Sequence, residues 1–230
     1  MTLSDIEHHT PEDARLPKAL YPRILTPHDI GFAEWMAMRQ ELMDEKGWHA
    51  EGGEFDAYDE NQNTKQITLY DANEVLIAGM RLTPIESYNQ TLSWDMVQHS
   101  SIHDEVEKSG AIDATRSVWD LTRLAVGRDV PYRTRHDAIP RLFGAGLQQC
   151  QLAGDANPLW VFALDEGMIA WLQKQDVEVA ILGSAILPGD EKPSTFGSIE
   201  PAWIADLANQ PPDGSKLSSF AHRAMRASEI

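Results

Sequence analysis

The chain has 230 residues, 42 % of them hydrophobic, and its 36 acidic against 19 basic residues give a formal net charge of −17. This composition suits one globular α/β domain, alone or with an appendage, and so acidic a surface repels nucleic acid. The absence of an apolar run of about 18 residues predicts no membrane span, and the polar N-terminus predicts no signal peptide. The single cysteine, Cys150, excludes an internal disulfide and predicts a cytoplasmic protein.

The first half of the chain is predicted to place an acidic loop between a helix and two strands. Residues 1–19 are polar and are expected to be mobile. The loop is the segment G-W-H-A-E-G-G-E-F-D-A-Y-D, which is too rich in Gly and Asp for a regular helix or strand. The predicted elements are a helix from Ile30 that Gly47 stops, the loop Gly47–Asp59, and strands Gln66–Tyr70 and Val75–Leu82, the second ended by Pro84.

The second half alternates strands and helices, which together with the early pair of strands indicates a mixed sheet covered by helices. Residues 20–187 are expected to form the main domain. Residues 188–230, rich in Pro, Gly and Ser, are either part of the same domain or partly mobile. The predicted elements are loop and short helix over 86–110, strand Ser117–Val126, helix Asp137–Leu152, strand Leu159–Leu164, helix Gly167–Gln175, strand Val177–Leu182 and helix Pro201–Asn209.

Four short segments carry most of the candidate site residues. In order and spacing they resemble the acyl-homoserine-lactone synthases, the LuxI-type autoinducer synthases of bacterial quorum sensing, over residues 20–185. The combination is far more specific than any single segment, because a lone R-L-x-P or D-x-x-D means little. The segments are Arg39 with Trp48, E-F-D-A-Y-D with Asp56 and Asp59, G-M-R-L-T-P with Arg81, and W-D-L-T-R with Asp120 and Arg123.

The resemblance implies both a fold and a reaction. The fold is α/β and N-acetyltransferase-like (GNAT-like), with helices flanking a mixed, splayed β-sheet. In the reaction an acyl chain from an acyl-carrier protein is joined to the amine of S-adenosylmethionine, whose carboxylate then displaces methylthioadenosine and closes the lactone. S-adenosylmethionine is thus a substrate, and no permanently bound cofactor is expected.

The resemblance also carries over residue by residue. S-adenosylmethionine has a sulfonium and an ammonium that the two loop aspartates would attract, and a carboxylate that an arginine would hold in a forked pair. Trp48 would cover the sulfonium or screen the amine from water. The matching positions are Arg39, Trp48, Asp56, Asp59, Arg81 and Arg123, with Asp120 where the family usually has Glu and Met43 where it usually has Phe.

Three of these residues are the catalytic candidates, namely Asp120, Arg123 and Asp56. The attacking amine must lose a proton, so a carboxylate is needed as the base, and Asp120 is the candidate. Because Asp is one methylene shorter than Glu, this base would act through water or from a shifted backbone. Backbone N–H groups near Arg123 are expected to hold the oxyanion.

Each of these assignments has a purely structural alternative. Asp56 and Asp59 would also serve as turn caps or as partners of buried arginines, which require an anion. Ligand contact and loop support are equally expected of Asp59, whereas ligand contact is favoured for Asp56. Asp120 could be only the partner of Arg81 or Arg123.

Basic residues concentrate in one stretch of this acidic chain, with six arginines and three acids between Arg116 and Arg141. Because acyl-carrier proteins are strongly acidic, the resemblance makes part of this stretch their predicted landing surface. For any single arginine, an ion pair with one of the protein's own carboxylates is as good an explanation as docking. Such internal pairing explains all four arginines together less well. The four are Arg128, Arg133, Arg135 and Arg141.

The acyl chain is expected to lie against the strand 160–164, with Phe162 in the substrate-binding set, although such residues are core by default. Two other functions stay open: an acyl-coenzyme-A-dependent N-acyltransferase of the same fold, and a degenerate synthase kept as a binding or regulatory module. The first would want a Gly-rich pyrophosphate loop at a helix start, and no Gly follows Gly127 there. His99 and His103 have metal-ligand spacing but no evident third ligand, so no metal site is predicted.

Overall fold

A computed structural model of the chain describes residues 19–46, 56–85, 93, 117–186 and 193–226. Within these ranges no helix is long and apolar enough to cross a membrane. The elements are β1 (Leu20–Leu25), α1 (Ile30–Lys46), β2 (Lys65–Asp71), β3 (Leu76–Ile85), β4 (Val118–Val126), α2 (Tyr132–Leu152), β5 (Leu159–Asp165), α3 (Glu166–Lys174), β6 (Ala180–Ala185), β7 (Ser194–Ile199), α4 (Trp203–Ala208) and α5 (Lys216–Met225).

The seven strands form one mixed sheet in the order β1-β2-β3-β4-β5-β7-β6. Neighbouring strands are antiparallel except β4 and β5, which run parallel. The β4–β5 ladder extends only from Val118 opposite Leu159 to Leu121 opposite Phe162, although both strands continue. The strands therefore separate after Leu121 and Phe162, and the sheet is splayed. The predicted fold class, a mixed and splayed sheet flanked by helices, is confirmed.

One face of the sheet is apolar and lies under α2. Strand alternation places Ile67, Met80 and Leu82 on this face, where they join the main core. Packing is close, since a Cβ added at Gly146 of α2 would lie 2.5 Å from Met80 Cε. Helix α5 in turn packs on α2, where a Cβ at Gly144 would meet the α5 backbone at 2.1 Å.

The opposite face of the sheet is polar at its centre. Gln66, Arg81 and Thr122 are cross-strand neighbours on β2, β3 and β4, so their side chains share this face. Helix α1 covers one end of it, because the Trp35 ring packs directly on Gly79, where a Cβ would lie 2.7 Å from the ring. The fold thus buries a polar stripe between the sheet and α1.

Most predicted elements are confirmed within a few residues. The predicted start of α2 at Asp137 is wrong, because the helix begins at Tyr132, directly after Pro131; its exposed first turn has no apolar periodicity to reveal it. The prediction that Pro84 ends the second strand is also wrong, because β3 continues to Ile85. The late strand, predicted over Val177–Leu182, lies at Ala180–Ala185.

Three elements have no counterpart in the sequence-based prediction. β1 is an edge strand that contains Pro22, and its apolar and polar residues alternate only weakly. β7 is fully buried between β5 and β6, yet its sequence S-T-F-G-S-I is mostly polar or small. α5 has a detectable signal, since Ser215 caps its N-terminus by accepting from the Ser218 N–H. Through β7 and α5 the C-terminal residues belong to the sheet and its covering layer.

Candidate functional site

The candidate site is an ion-pair network on the polar face of the sheet, beneath α1. The network consists of Arg39 on α1, Asp56 and Asp59 in the loop before β2, Arg81 on β3 and Arg123 on β4. Four separate parts of the chain therefore meet at it. Among the described residues, three guanidinium groups face two carboxylates in this network.

Asp59 lies at the centre of the network. Arg39 holds it in a fork, with Nη1 donating to Oδ1 at 2.8 Å and Nη2 donating to Oδ2 at 3.1 Å. Arg81 Nη1 and Gln66 Nε2 donate to the same Oδ1 at 2.9 Å and 2.7 Å. The Asp56 backbone N–H donates to Oδ2 at 3.0 Å. A carboxylate has about four lone-pair positions, so Asp59 has no capacity left for a ligand.

The charges of this buried centre stabilise one another. Burial alone would raise the pKa of Asp59, but the hydrogen bond from Arg39 and the charges of Arg81 and Arg39 hold it well below its ordinary value. Burial also opposes the charged form of Arg81, yet the neighbouring carboxylates outweigh it and raise the pKa of Arg81. Both groups are therefore ionised over the whole neutral range.

Asp56 forms the outer edge of the network. Its Oδ1 accepts from Arg81 Nη1 at 2.6 Å, and its Oδ2 accepts from Arg123 Nη2 at 3.1 Å. The Tyr58 N–H also donates to Oδ1, at 2.9 Å, which fixes the local turn. The Asp56 side chain is 21 % exposed, whereas that of Asp59 is 0 % exposed. Of the two carboxylates, Asp56 is the one that a ligand can reach.

A β-bulge directs Arg123 into the network. Arg81 pairs with Thr122 but Gly79, two residues earlier, pairs with Ala125, so β4 carries one extra residue. Arg123 within this bulge has a φ of 57°, a conformation that costs a non-glycine residue about 1–3 kcal/mol. Strict alternation after Thr122 would point Arg123 toward the core. The bulge instead brings its guanidinium to Asp56.

Further polar contacts fix Arg81. Its Nε donates to Thr122 Oγ1 at 3.0 Å, and its guanidinium lies over the Tyr58 ring, 5.4 Å from the centroid. Thr64 Oγ1 donates to the Tyr58 carbonyl at 2.9 Å and so ties the loop to the start of β2. Arg81 Nη2 is buried and has no hydrogen-bond partner among the described residues. It is a donor that the described part of the chain does not use.

Asp120 lies on the same face, where β4 and β5 separate. It pairs in register with Thr83 of β3 and Val161 of β5, one residue before the β4–β5 ladder ends. Its buried carboxylate accepts from Ser93 Oγ at 2.5 Å through Oδ1 and from the Ser93 N–H at 3.4 Å through Oδ2. A buried carboxylate therefore borders the opening between β4 and β5.

The remaining predicted substrate-binding residues are not part of the ion-pair network. Met43 is half-buried on α1. Phe162 is buried in the main core, on the α2 side of the sheet and against Gly197 of β7, so contact with an acyl chain would require its neighbours to move. Trp48 lies outside the described residues, as do His99 and His103. The roles assigned to these side chains stay predictions.

The four arginines of the predicted landing surface are mostly engaged within the chain. Arg128 forms ion pairs with Glu41 and Glu45 of α1. Arg135 donates to the carbonyls of Val130 and Arg128. Arg141 Nη1 donates to the Leu20 carbonyl at 3.1 Å. Arg133 is exposed on the first turn of α2. The ion pairs of Arg128 neutralise its charge, whereas Arg135 and Arg141 donate to neutral carbonyls and keep theirs.

Sequence reasoning missed several partners of the charged residues. Gln66 and Thr122 orient Asp59 and Arg81, and the signal for them was a polar residue within an apolar strand on the arginine face. Nothing in the sequence marks Ser93, because its contact with Asp120 joins residues 27 positions apart.

No family model matches the chain, and a search of curated proteins gives no match. Solved structures with the same fold include FeeM, an N-acyl amino acid synthase from uncultured soil microbes, with TM-score 0.60 and 12 % identity over 82 % of this chain and 94 % of FeeM. The acyl-homoserine-lactone synthase LasI has TM-score 0.56 and 15 % identity over 80 % of this chain and 91 % of LasI. BjaI, a CoA-dependent acyl-homoserine-lactone synthase solved with SAM and isopentyl-CoA, has TM-score 0.50 and 17 % identity over 89 % of this chain and 99 % of BjaI. At these identities the likeness is one of fold.

Proposed function

We propose that the protein is an acyl-homoserine-lactone synthase, which acylates the amine of S-adenosylmethionine and then closes the lactone with release of methylthioadenosine. The observation that carries this proposal is the ion-pair network, which joins at least one charged residue from each of the four motif segments. A network serving stability alone would have no need of a strained Arg123 or of a reachable Asp56.

The network suits an acceptor that carries both signs of charge. Asp56, the reachable carboxylate, would attract the ammonium or sulfonium of S-adenosylmethionine. The carboxylate of S-adenosylmethionine could accept from Arg81 Nη2, a buried donor with no partner among the described residues. Trp48 remains the candidate cover for the sulfonium. In this arrangement Asp59 does not touch the substrate but holds Arg39 and Arg81 in place.

The chemistry then follows from Asp120 and the splayed strands. Asp120 takes a proton from the acceptor amine, directly or through water, and the amine nitrogen attacks the thioester carbonyl. The β4–β5 ladder ends at Leu121 and Phe162. Beyond these residues the backbone N–H groups that face the gap do not belong to the ladder, and they are candidates to hold the oxyanion. The donor's thiol leaves. The acceptor carboxylate next attacks the γ-carbon of the methionine chain, the bond from this carbon to the sulfonium breaks, and methylthioadenosine departs as the lactone ring closes.

A second candidate differs in the acyl donor or in the acceptor. Acyl-coenzyme A in place of a carrier protein is favoured by the ion pairs of Arg128 with Glu41 and Glu45, which neutralise one of the four arginines of the predicted docking surface. A plain amino acid as acceptor would also satisfy the arginines, but it offers only its ammonium to Asp56. The carrier protein and S-adenosylmethionine remain the first choice because they follow from the motif segments together.

The deciding experiment supplies purified protein with S-adenosylmethionine and either an acyl-carrier-protein or an acyl-coenzyme-A donor, with mass spectrometry of the products. The proposal expects an N-acyl-homoserine lactone and an equal amount of methylthioadenosine. An N-acyl amino acid formed only when free amino acids are added would support the second candidate. If folded protein forms no product with any donor and acceptor pair, the synthase function is wrong.

A further inference from the structure

We propose that Ser93 is a positioning residue that fixes the carboxylate of Asp120 for proton transfer, an inference that rests on the proposed function. Ser93 contacts both oxygens of Asp120, through its hydroxyl at 2.5 Å and its backbone N–H at 3.4 Å. None of the four motif segments contains it. Its place in the site comes only from the structure.

The two contacts restrain the rotation of the carboxylate. The terminal torsion of an aspartate has a broad energy minimum, so an unrestrained carboxylate plane turns easily. A hydroxyl on one oxygen and a backbone N–H on the other define that plane. General-base catalysis depends first on geometry, because the accepting oxygen must lie within hydrogen-bond reach of the proton. Ser93 thereby limits the orientations that the Asp120 carboxylate can adopt.

The position of the pair matches this role. Asp120 borders the separation of β4 and β5, and the 1 % exposure of Ser93 excludes bulk water from that side of the carboxylate. The hydroxyl donates its proton to the charged form of the base and therefore favours ionised Asp120. Loss of the hydroxyl should both loosen the base and make it easier to protonate.

The test compares Ser93→Ala and Ser93→Thr with Ser218→Ala, a matched control because Ser218 is 2 % exposed and lies on α5, away from the polar face. Steady-state rates are measured against pH with the donor and acceptor that the wild-type protein uses. We expect Ser93→Ala to lower kcat about 10- to 100-fold, to leave KM for S-adenosylmethionine within about twofold, and to move the acid limb upward by about one pH unit. Ser93→Thr, which keeps the hydroxyl, should recover most of kcat, and Ser218→Ala should behave as wild type.

A second measurement requires no turnover, namely the titration of the Asp120 side-chain ¹³C resonance in wild type and Ser93→Ala. The inference expects the variant to protonate at higher pH, and an unchanged titration would overturn it. A wild-type kcat and pH profile in Ser93→Ala, or a loss explained wholly by a lower Tm, would do the same. If wild-type protein acylates nothing, the proposed function fails by itself, and the titration then decides only whether Ser93 stabilises the ionised form of Asp120.

Discussion

Replacing Asp59 by asparagine tests whether the centre of the ion-pair network serves folding and not substrate contact. The substitution keeps the shape of the side chain but removes the charge that faces Arg39 and Arg81. One oxygen also becomes an NH₂ group, which would face the donors of Arg39 or of the backbone. Two buried guanidinium groups would then lose their shared counterion.

The expected cost follows from the burial of the pair. Breaking a buried ion pair by removing one partner costs about 3–5 kcal/mol, a large part of a total stability of about 5–15 kcal/mol. For a domain of this size each kcal/mol lowers Tm by about 2–4 °C. Asp59→Asn should therefore melt about 6–20 °C below wild type.

Asp56→Asn is the matched comparison. It removes the same charge from the same loop, but Asp56 is 21 % exposed and its Oδ1 can still accept from the Tyr58 N–H. Its cost in stability should stay below about 2 kcal/mol. Because Asp56 is the carboxylate that the acceptor can reach, its product formation should fall at least about 100-fold.

Calorimetry and urea unfolding measure the stability of both variants, and mass spectrometry of the N-acylated product measures activity. The reasoning is refuted if Asp59→Asn lies within about 1 kcal/mol of wild type. It is also refuted if Asp56→Asn unfolds as readily as Asp59→Asn or retains full activity. Only a stable, inactive Asp56 variant beside an unstable Asp59 variant fits the geometry.

Three further substitutions and one pH series test other parts of the structure. Arg123→Gly should relieve the strain of the left-handed φ of 57°, so urea unfolding should give a stability equal to or above that of wild type. Product assays should show no product formation, because the guanidinium group that contacts Asp56 is lost. Gly144→Ala should displace α5 and lower the unfolding free energy by about 1–3 kcal/mol or more, because its Cβ would lie 2.1 Å from the α5 backbone. Burial, followed by the charge of Arg223, lowers the pKa of His136, and Arg223 Nη1 lies 3.1 Å from its Nδ1. The folded protein therefore binds a proton at His136 less readily than the unfolded chain, so the free energy of unfolding is unaffected by this group above the ordinary histidine pKa of about 6.5 and falls as the pH is lowered. Denaturation curves from pH 7 to 5 should show this fall, and it should be less steep in His136→Gln. Arg133→Glu should raise KM for a carrier-protein donor but not for S-adenosylmethionine, and an unchanged KM in steady-state assays would exclude this part of the docking surface.

Local sequence patterns were sufficient to predict the elements with a regular spacing of apolar residues or with clear turn or stop residues at their ends. The apolar spacing from Ile30 to Gly47 and the turn after Tyr70 located α1, β2 and β3. β7 could not be found in this way, because its burial comes from its central position between two strands. A hydrophobic pattern depends only on which residues are apolar. A central strand built from small or polar residues therefore cannot be predicted from it.

The candidate site shows the same division. The charged members were identified because the order and spacing of the four motif segments resemble those of a known family. Their pairing was not predictable, since Arg39 and Asp59 are 20 residues apart and Arg123 and Asp56 are 67 apart. The resemblance placed Arg123 in the site, but it did not predict the β-bulge that turns this side chain toward Asp56.

The network also makes the site dependent on the correct packing of α1 on β2, β3 and β4. Asp59 is saturated only when α1 supplies Arg39, β2 supplies Gln66 and β3 supplies Arg81. Asp56 in turn is oriented only when Asp59 holds the loop, through the Asp56 N–H. The reachable carboxylate is therefore the last member placed, and the most buried one determines its position. For this reason substitutions at Asp59 should change the substrate contact indirectly, and a variant at Asp56 is the cleaner probe of acceptor binding.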